Sequence, residues 1–315
     1  MSTNNNNEPE NDIMMCCSSC GKAEVDDIKM KACTACDLVR YCSENCEDDH
    51  MSQHEQACKK RAAELRDEIL FRQPESTQYG DCPICFLPLS IYLDQSSFYS
   101  CCSKVICNGC VYASRMREFE ADLQQTCPFC RQPIPNTDEE INLNVMKRVE
   151  ANDPVAMCSM GNECLEEGDY EGAFKHWKRA AELGDAVAHY QLSIMYRDGH
   201  GVERDEKKEL HHLEEAAITG DPNAIHNLAC YEKRKGRTER AVKHLIIAAN
   251  LGVDASIQTL KGCYKDGEVS KEDFAAALRA HQAAVGATKS PQREAAAEAF
   301  ATLRKVLFGR VNEPM

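Results

Sequence analysis

Sixteen of the 20 cysteines lie between Cys16 and Cys130, and most of them are spaced as metal ligands. The first group runs Cys17-x2-Cys20-x12-Cys33-x2-Cys36-x5-Cys42-x3-Cys46-x7-His54-x3-Cys58. Seven thiolates and one imidazole suffice for two tetrahedral zinc sites. Thiolate softness selects zinc over calcium or magnesium. Cys16 adjoins Cys17, and either is available as the first ligand, although Cys17 gives the usual Cys-x2-Cys pair. His50 is within reach but reads as an exposed helix histidine. The second group is Cys82-x2-Cys85, Cys101-Cys102, Cys107-x2-Cys110 and Cys127-x2-Cys130, eight further thiols. Its three Cys-x2-Cys pairs indicate metal. The adjacent Cys101 and Cys102 serve one ion only if a tight backbone bend turns both side chains the same way. A dithiol redox centre is disfavoured, because zinc caps thiols held in paired register. About four zinc ions per chain are expected.

The elements that carry these ligands belong to a modular chain of 315 residues. The 37 Lys and Arg against 51 Asp and Glu leave a net charge of −14, which opposes a general grip on nucleic acid or an anionic membrane. No run of 18 apolar residues is present, so no transmembrane span is expected. The polar, Asn-rich start has no secretory h-region. The expected setting is therefore a reducing compartment, cytoplasm or nucleus, where lasting disulfides are rare. Residues 1–14 read as disordered, 15–58 as the first zinc module and 59–80 as a helical linker. The linker shows helical spacing through Ala62, Leu65 and Ile69 and ends at Pro74 and Gly80. Residues 81–135 form the second module. Residues 136–152 link it onward, with a short helix over Ile141–Val149.

From residue 153 the chain repeats. Asp153, Asp185, Asp221 and Asp254 occupy equivalent places at separations of 32, 36 and 33 residues, the period of a helical-pair solenoid. Each unit reads as helix, turn, helix, turn. In the second, the helices fall near Ala186–Tyr196 and Lys207–Thr219. The aspartates suit helix N-caps. Gly184, Gly220, Gly252 and Gly286 suit left-handed helix ends. Alanine pairs at 180–181, 216–217, 248–249 and 283–284 let neighbouring helices approach. Trp177 falls in the apolar pattern with Phe174 and Ala181 and reads as core. Gln292–Phe308 reads as an amphipathic end cap within 287–315. The expected fold class is multidomain: two small zinc fingers followed by an all-α helical-repeat solenoid over 153–286.

Three resemblances follow from these residues. Residues 17–58, including Tyr41-Cys42-Ser43-x-x-Cys46, resemble a MYND zinc finger. That resemblance implies interleaved ligands: Cys17, Cys20, Cys42 and Cys46 on one zinc, and Cys33, Cys36, His54 and Cys58 on the other. Family members commonly bind short proline-containing peptides; here Met51 stands where many carry Trp. A purely structural finger explains the ligands equally well.

The second group resembles a RING-type finger, opening with Cys82-Pro-Ile-Cys85 and closing with Cys127-Pro-Phe-Cys130-Arg131. The implied cross-brace puts Cys82, Cys85, Cys107 and Cys110 on one zinc, and Cys127 and Cys130 with Cys102 and Cys101 on the other. Lys104 stands where the family has a ligand, but a protonated lysine has no lone pair to give. The resemblance implies a ubiquitin–protein ligase that orients a ubiquitin-charged carrier enzyme, with Ile84, Pro128 and Arg131 as carrier contacts. Each has a plainer reading: Ile84 covers the zinc knuckle, Pro128 stiffens it, and Arg131 is solvated. The joints and Tyr-x-x-Gly turns of 153–286 resemble Sel1-like repeats, relatives of tetratricopeptide repeats that serve mainly as adaptors.

Two functions therefore stand at this level. One is a ligase or ligase-like adaptor that recruits the carrier while the repeats or first finger bind a target protein. The other is a non-catalytic scaffold for protein–protein interactions. A methyltransferase SET domain has no room, and no phosphate loop, HExxH or GxSxG is present. His176 and the His211–His212 pair lie on repeat helices without a carboxylate constellation.

Overall fold

The structure is a computed structural model that describes residues 17–20, 22, 29–37 and 39–308, with side chains to residue 303. The segment 1–14, the alternative ligand Cys16 and the tail beyond 308 lie outside the described residues. The chain forms two compact units, Met1–Arg72 and Gln73–Met315.

The first unit is small. Strands β1 (Lys31–Ala32) and β2 (Arg40–Tyr41) pair antiparallel and lead into one long helix, α1 (Glu44–Leu70). Ser43 caps α1, its Oγ accepting from the Cys46 N–H at 3.3 Å. Glu44 and Glu47 in the first turn complement the helix dipole. Among the described residues the buried core consists of Met30 and Tyr41 among the ligands, so little of their apolar surface lies apart from the ligands.

The second unit begins with the second zinc module. A hairpin of β3 (Ser96–Tyr99) and β4 (Lys104–Cys107) precedes helix α2 (Asn108–Glu120). Its core gathers Leu89, Tyr99, Ile106 and Val111 around the cysteines. Helix α3 (Asp138–Glu150) follows, capped by Thr137.

The repeats follow as helical pairs: α4 (Pro154–Glu166) with α5 (Tyr170–Glu182), α6 (Ala186–Asp198) with α7 (Glu206–Ile218), α8 (Pro222–Arg234) with α9 (Thr238–Asn250), and α10 (Asp254–Lys265) with α11 (Lys271–Ala287). Three joints share one device. Gly184, Gly220 and Gly252 adopt φ of 85°, 87° and 94°, a left-handed turn that glycine adopts at no steric cost. The N–H of the next residue then reaches back to the first alanine of the preceding pair. Asp185 donates to the Ala180 carbonyl at 3.1 Å, Asp221 to Ala216 at 2.9 Å and Val253 to Ala248 at 3.1 Å. In the first two joints the same aspartate opens the next helix with its carboxylate. Asp185 accepts from the Ala188 N–H at 2.7 Å and Asp221 from Ala224 at 2.6 Å. One residue thus closes one helix and starts another, which fixes their crossing.

The core runs through the stack. Trp177 is 1% exposed among Met157, Ala173, Ala188 and Leu192, and its Nε1 donates to the Cys158 carbonyl at 3.3 Å. Gly161 makes room for it, since a Cβ there would stand 2.5 Å from that nitrogen.

The fourth pair departs from the expected register. Val253, not Asp254, is the N-cap of α10, because the chain from Gly252 to the helix start is one residue out of phase with the sequence match. Asp254 instead meets His281 Nε2 at 2.9 Å and accepts from the Tyr92 hydroxyl. Gly286 lies inside α11 rather than ending it, and Ala283 is exposed. Helix α12 (Pro291–Phe308) takes a different place from the expected end cap, for its main packing partner is α2 of the second zinc module.

Candidate metal centres

Among the described residues four groups of ligand atoms converge, with all atoms in each group within 4.8 Å of one another. In the first unit they are Cys17, Cys20, Cys42 and Cys46, and Cys33, Cys36, His54 and Cys58. The β1–β2 connection carries Cys33 and Cys36, β2 delivers Cys42, and α1 carries Cys46, His54 and Cys58. His54 and Cys58 share a helix face at i, i+4. In the second unit the groups are Cys82, Cys85, Cys107 and Cys110, and Cys101, Cys102, Cys127 and Cys130. Cys107 ends β4, and Cys110 lies in the first turn of α2.

The spacings fit zinc. A tetrahedron with Zn–S bonds near 2.3 Å has S···S edges of about 3.8 Å. The Sγ pairs Cys20–Cys42 and Cys42–Cys46 stand at 3.6 Å, Cys33–Cys58 at 3.7 Å, Cys85–Cys107 at 3.8 Å, Cys101–Cys130 at 3.4 Å and Cys102–Cys127 at 3.8 Å. Cys36 Sγ lies 3.2 Å from His54 Nε2. A disulfide would require about 2.05 Å. The donor set is soft, and the four clusters correspond to about four zinc ions.

The knuckles repeat one backbone form. Cys82 N–H donates to the Leu87 carbonyl at 3.0 Å and Cys127 N–H to Gln132 at 2.7 Å. In return, Phe86 N–H donates to Cys82 O and Arg131 N–H to Cys127 O, both at 2.9 Å. Phe86 and Arg131 take the left-handed conformation at φ 56° and 65°, as Asp37 does at 54° after Cys36. The tight bend that Cys101 and Cys102 require is present. Between β3 and β4, the Cys102 and Ser103 N–H groups donate to the Tyr99 carbonyl at 3.2 and 2.9 Å, and Ser103 lies at φ 54°. Cys101 thereby faces Cys130 and Cys102 faces Cys127. Lys104 places its Nζ 5.8 Å from the Phe129 ring centre instead of joining the ligands.

Electrostatics within the clusters show what the ion must resolve. Cys82 is held low, at about 4, by the hydrogen bond from Cys107 and by backbone N–H groups, against burial. Its partner Cys107 is pushed up by the same contact and by burial, and burial pushes Cys110 up to about 12. In the first unit, burial works against ionisation of Cys17, but backbone donors from Cys20, Cys42 and Ser19 prevail and bring it to about 6. Contacts with Cys20 and Cys46 raise Cys42 to about 12. Without a cation, one thiolate keeps its neighbours protonated; a divalent ion removes that conflict and makes metal affinity depend on pH.

Outer contacts brace the second module. Buried Glu118 accepts from Thr126 Oγ at 2.7 Å, tying the Cys127 knuckle to α2. Arg148 of α3 donates to the Cys101 carbonyl at 3.3 Å. Arg293 of α12 donates to Cys85 Sγ at 3.4 Å, to Leu87 O at 3.1 Å and to Pro88 O at 2.6 Å. It packs on Gly109, where a Cβ would lie 2.8 Å from Arg293 Cγ. Sequence reasoning missed Arg293 entirely. Its signal is spatial, because 208 residues separate it from Cys85.

Of the remaining candidates, Ile84 is 37% exposed, Arg131 is exposed and Pro128 is buried. His50 is not among the converging ligands. It is half-buried, sharing a 3.1 Å hydrogen bond with the Tyr41 hydroxyl. Met51 is 40% exposed on α1. His212 stacks on Tyr196 and shares a 3.0 Å Nδ1–Nδ1 hydrogen bond with His189.

Comparison with known proteins agrees with this geometry in two regions. Residues 17–58 match the MYND finger model, and residues 154–185, 186–221 and 222–253 match the Sel1 repeat model. The chain thus carries a MYND finger, a second zinc-binding module and Sel1 repeats. A mouse (Mus musculus) protein, "DAP3-binding cell death enhancer 1", is 24% identical over 196 residues, covering 50% of this chain and 38% of that protein. The chain therefore spans well under two thirds of that relative's length. A Sel1 repeat protein from Oxalobacter formigenes is 25% identical with a TM-score of 0.43, over 48% of this chain and 66% of that one. The Escherichia coli protective antigen c5321 is 20% identical with a TM-score of 0.38, over 55% of this chain and 37% of that one. No helix among the described residues is long and apolar enough to cross a membrane.

Proposed function

We propose that the protein is a non-catalytic adaptor, in which zinc-built modules and Sel1 repeats hold partner proteins together. Its working parts are residues 15–58, 81–135 and 153–286. The observation that carries this reading is the incorporation of the second zinc module into the repeat unit. In the segment that leads into the module, Gln78 Nε2 donates to Asp221 at 2.7 Å and Gln73 accepts from Asn250 Nδ2 at 2.9 Å, and in the module itself the first knuckle is gripped by Arg293. A module whose lead-in segment is tied to the joints of a repeat stack builds a composite surface, which suits binding more than turnover. The mouse relative is named for binding another protein, which supports the same class of role. The MYND finger offers a second surface, where exposed Met51 provides a soft apolar contact for a peptide.

A second reading is a RING-type ligase. Exposed Ile84 and Arg131 favour it, whereas buried Pro128 offers a carrier enzyme little surface. An autoubiquitination assay with the zinc-loaded full chain and a panel of carriers separates the two. The adaptor reading expects no conjugates, and partner binding unchanged in Ile84→Ala and Arg131→Ala. Conjugates that disappear in Ile84→Ala and fall in Arg131→Ala would replace it with the ligase.

A further inference from the structure

A cavity of about 880 Å³ lies between the second zinc module, the end of the repeats and α12. Leu89, Ile91, Leu251, Val285 and Phe300 provide its apolar lining. That volume falls within the range of specific binding sites. Neither module builds it alone. The zinc module supplies the segments around Pro88–Tyr92 and Asn108–Gly109, the repeats supply Asn250–Gly252 and the end of α11, and α12 closes it.

Its walls are held in place. Asn108 Nδ2 donates to the Asp94 carbonyl at 2.7 Å, the Tyr92 hydroxyl donates to Asp254, and Gln292 donates to the Gly109 carbonyl at 3.1 Å. Tyr112 and Phe300 meet edge-on at 6.3 Å. The cavity is therefore a fixed feature of the unit rather than a loose gap.

Its charge is one-sided. Glu75, Asp81, Asp94 and Glu294 line it and are exposed. Among the described residues two cations also line it, Lys289 and Arg293. The Arg293 guanidinium is committed to Pro88, Leu87 and Thr288 carbonyls and to Cys85. Among the described side chains, four carboxylates thus face one available ammonium around an apolar floor. Such a rim attracts cationic side chains and repels acidic ones.

We propose that this cavity is a docking site for a short peptide segment of a partner protein, with apolar side chains on the floor and flanking Lys or Arg against the carboxylates. The proposal rests on the adaptor reading and supplies the chemistry of one partner. Its test is fluorescence anisotropy on the full zinc-loaded chain. The probe is a labelled octapeptide with two central leucines flanked by Arg and Lys. Glu-for-basic and Ser-for-Leu versions serve as controls. The basic, apolar peptide should bind one per chain and weaken with salt, and both controls should bind at least about tenfold less. Ala297→Trp adds an indole at an exposed lining position of α12 and should weaken binding about tenfold. Glu294→Lys should weaken it roughly threefold and flatten its salt dependence. Zinc content and helical circular dichroism confirm that each variant is folded. Failure of the basic peptide to bind, equal binding of the Glu version, or binding unaltered by both variants would overturn the proposal. Partner capture by the repeats in that case would leave the adaptor reading standing.

Discussion

The two zinc modules use the same ligand chemistry in opposite structural settings. Among the described residues of the first unit the buried core is nearly all ligand, with Met30 and Tyr41 as the main additions. In the second, the cysteines sit among Leu89, Tyr99, Ile106 and Val111, and Arg148 and Arg293 brace them from α3 and α12. Metal is the principal source of folding free energy in the first case. In the second it is one contributor to a larger packed body. Spacing of cysteines alone does not distinguish these settings; the residues around them do.

Zinc removal tests this contrast most severely. Structural sites contribute on the order of 10 kcal/mol apparent each in small finger peptides. Chelation should unfold residues 17–58 outright and loosen 82–130, with the helices of 154–253 retained, as followed by circular dichroism and limited proteolysis. Next in size is the repeat core. Trp177→Ala should cost about 3–5 kcal/mol in guanidinium unfolding of the second unit, while leaving zinc in the first unit unchanged.

The clamp between α12 and the second module comes third. Arg293→Ala removes charge-assisted bonds to carbonyls and to the Cys85 sulfur, worth about 2 kcal/mol. Gly109→Ala forces the backbone at Arg293 to shift and should cost about 1–3 kcal/mol. Because both act on one contact, the double variant should lose less than the sum, which a double-mutant cycle measures.

The smallest effect is in the pH profile. Burial, reinforced by His189 and His211, lowers His212 to about 4. Its stabilising contribution is present above the unfolded value of 6.5 and is lost as pH falls toward 4. Burial raises Asp221 to about 6, so its contribution is present below 3.8 and is lost as pH rises through 6. Between pH 4 and 6 the two groups therefore oppose each other. His212→Phe should reduce acid sensitivity of the second unit. Asp221→Asn, which keeps a capping side chain, should increase it. Parallel unfolding curves at several pH values check both signs.

Much of this was legible in the sequence because the determinants are local. Helix pairs followed from the period of Asp153, Asp185 and Asp221, since each aspartate acts within a few residues of itself. The Cys-x2-Cys knuckles likewise depend on short backbone loops. Asp254 misled because a one-residue phase shift leaves the same residue types in view while moving the cap to Val253. The place of α12 was hidden for a different reason. Its apolar face indicates that it packs, but the partner across 183 residues, where Gln292 meets Gly109, is set by tertiary fit. The cavity is equally non-local, since its walls come from three separated stretches.

The most direct test is hydrogen–deuterium exchange of the full chain during graded zinc chelation. Amides of α12 and of residues 82–130 should lose protection together, at the chelator level that empties the second module, while 154–253 stay protected. An α12 whose protection is indifferent to the metal state of that module would contradict the integration of finger and repeats.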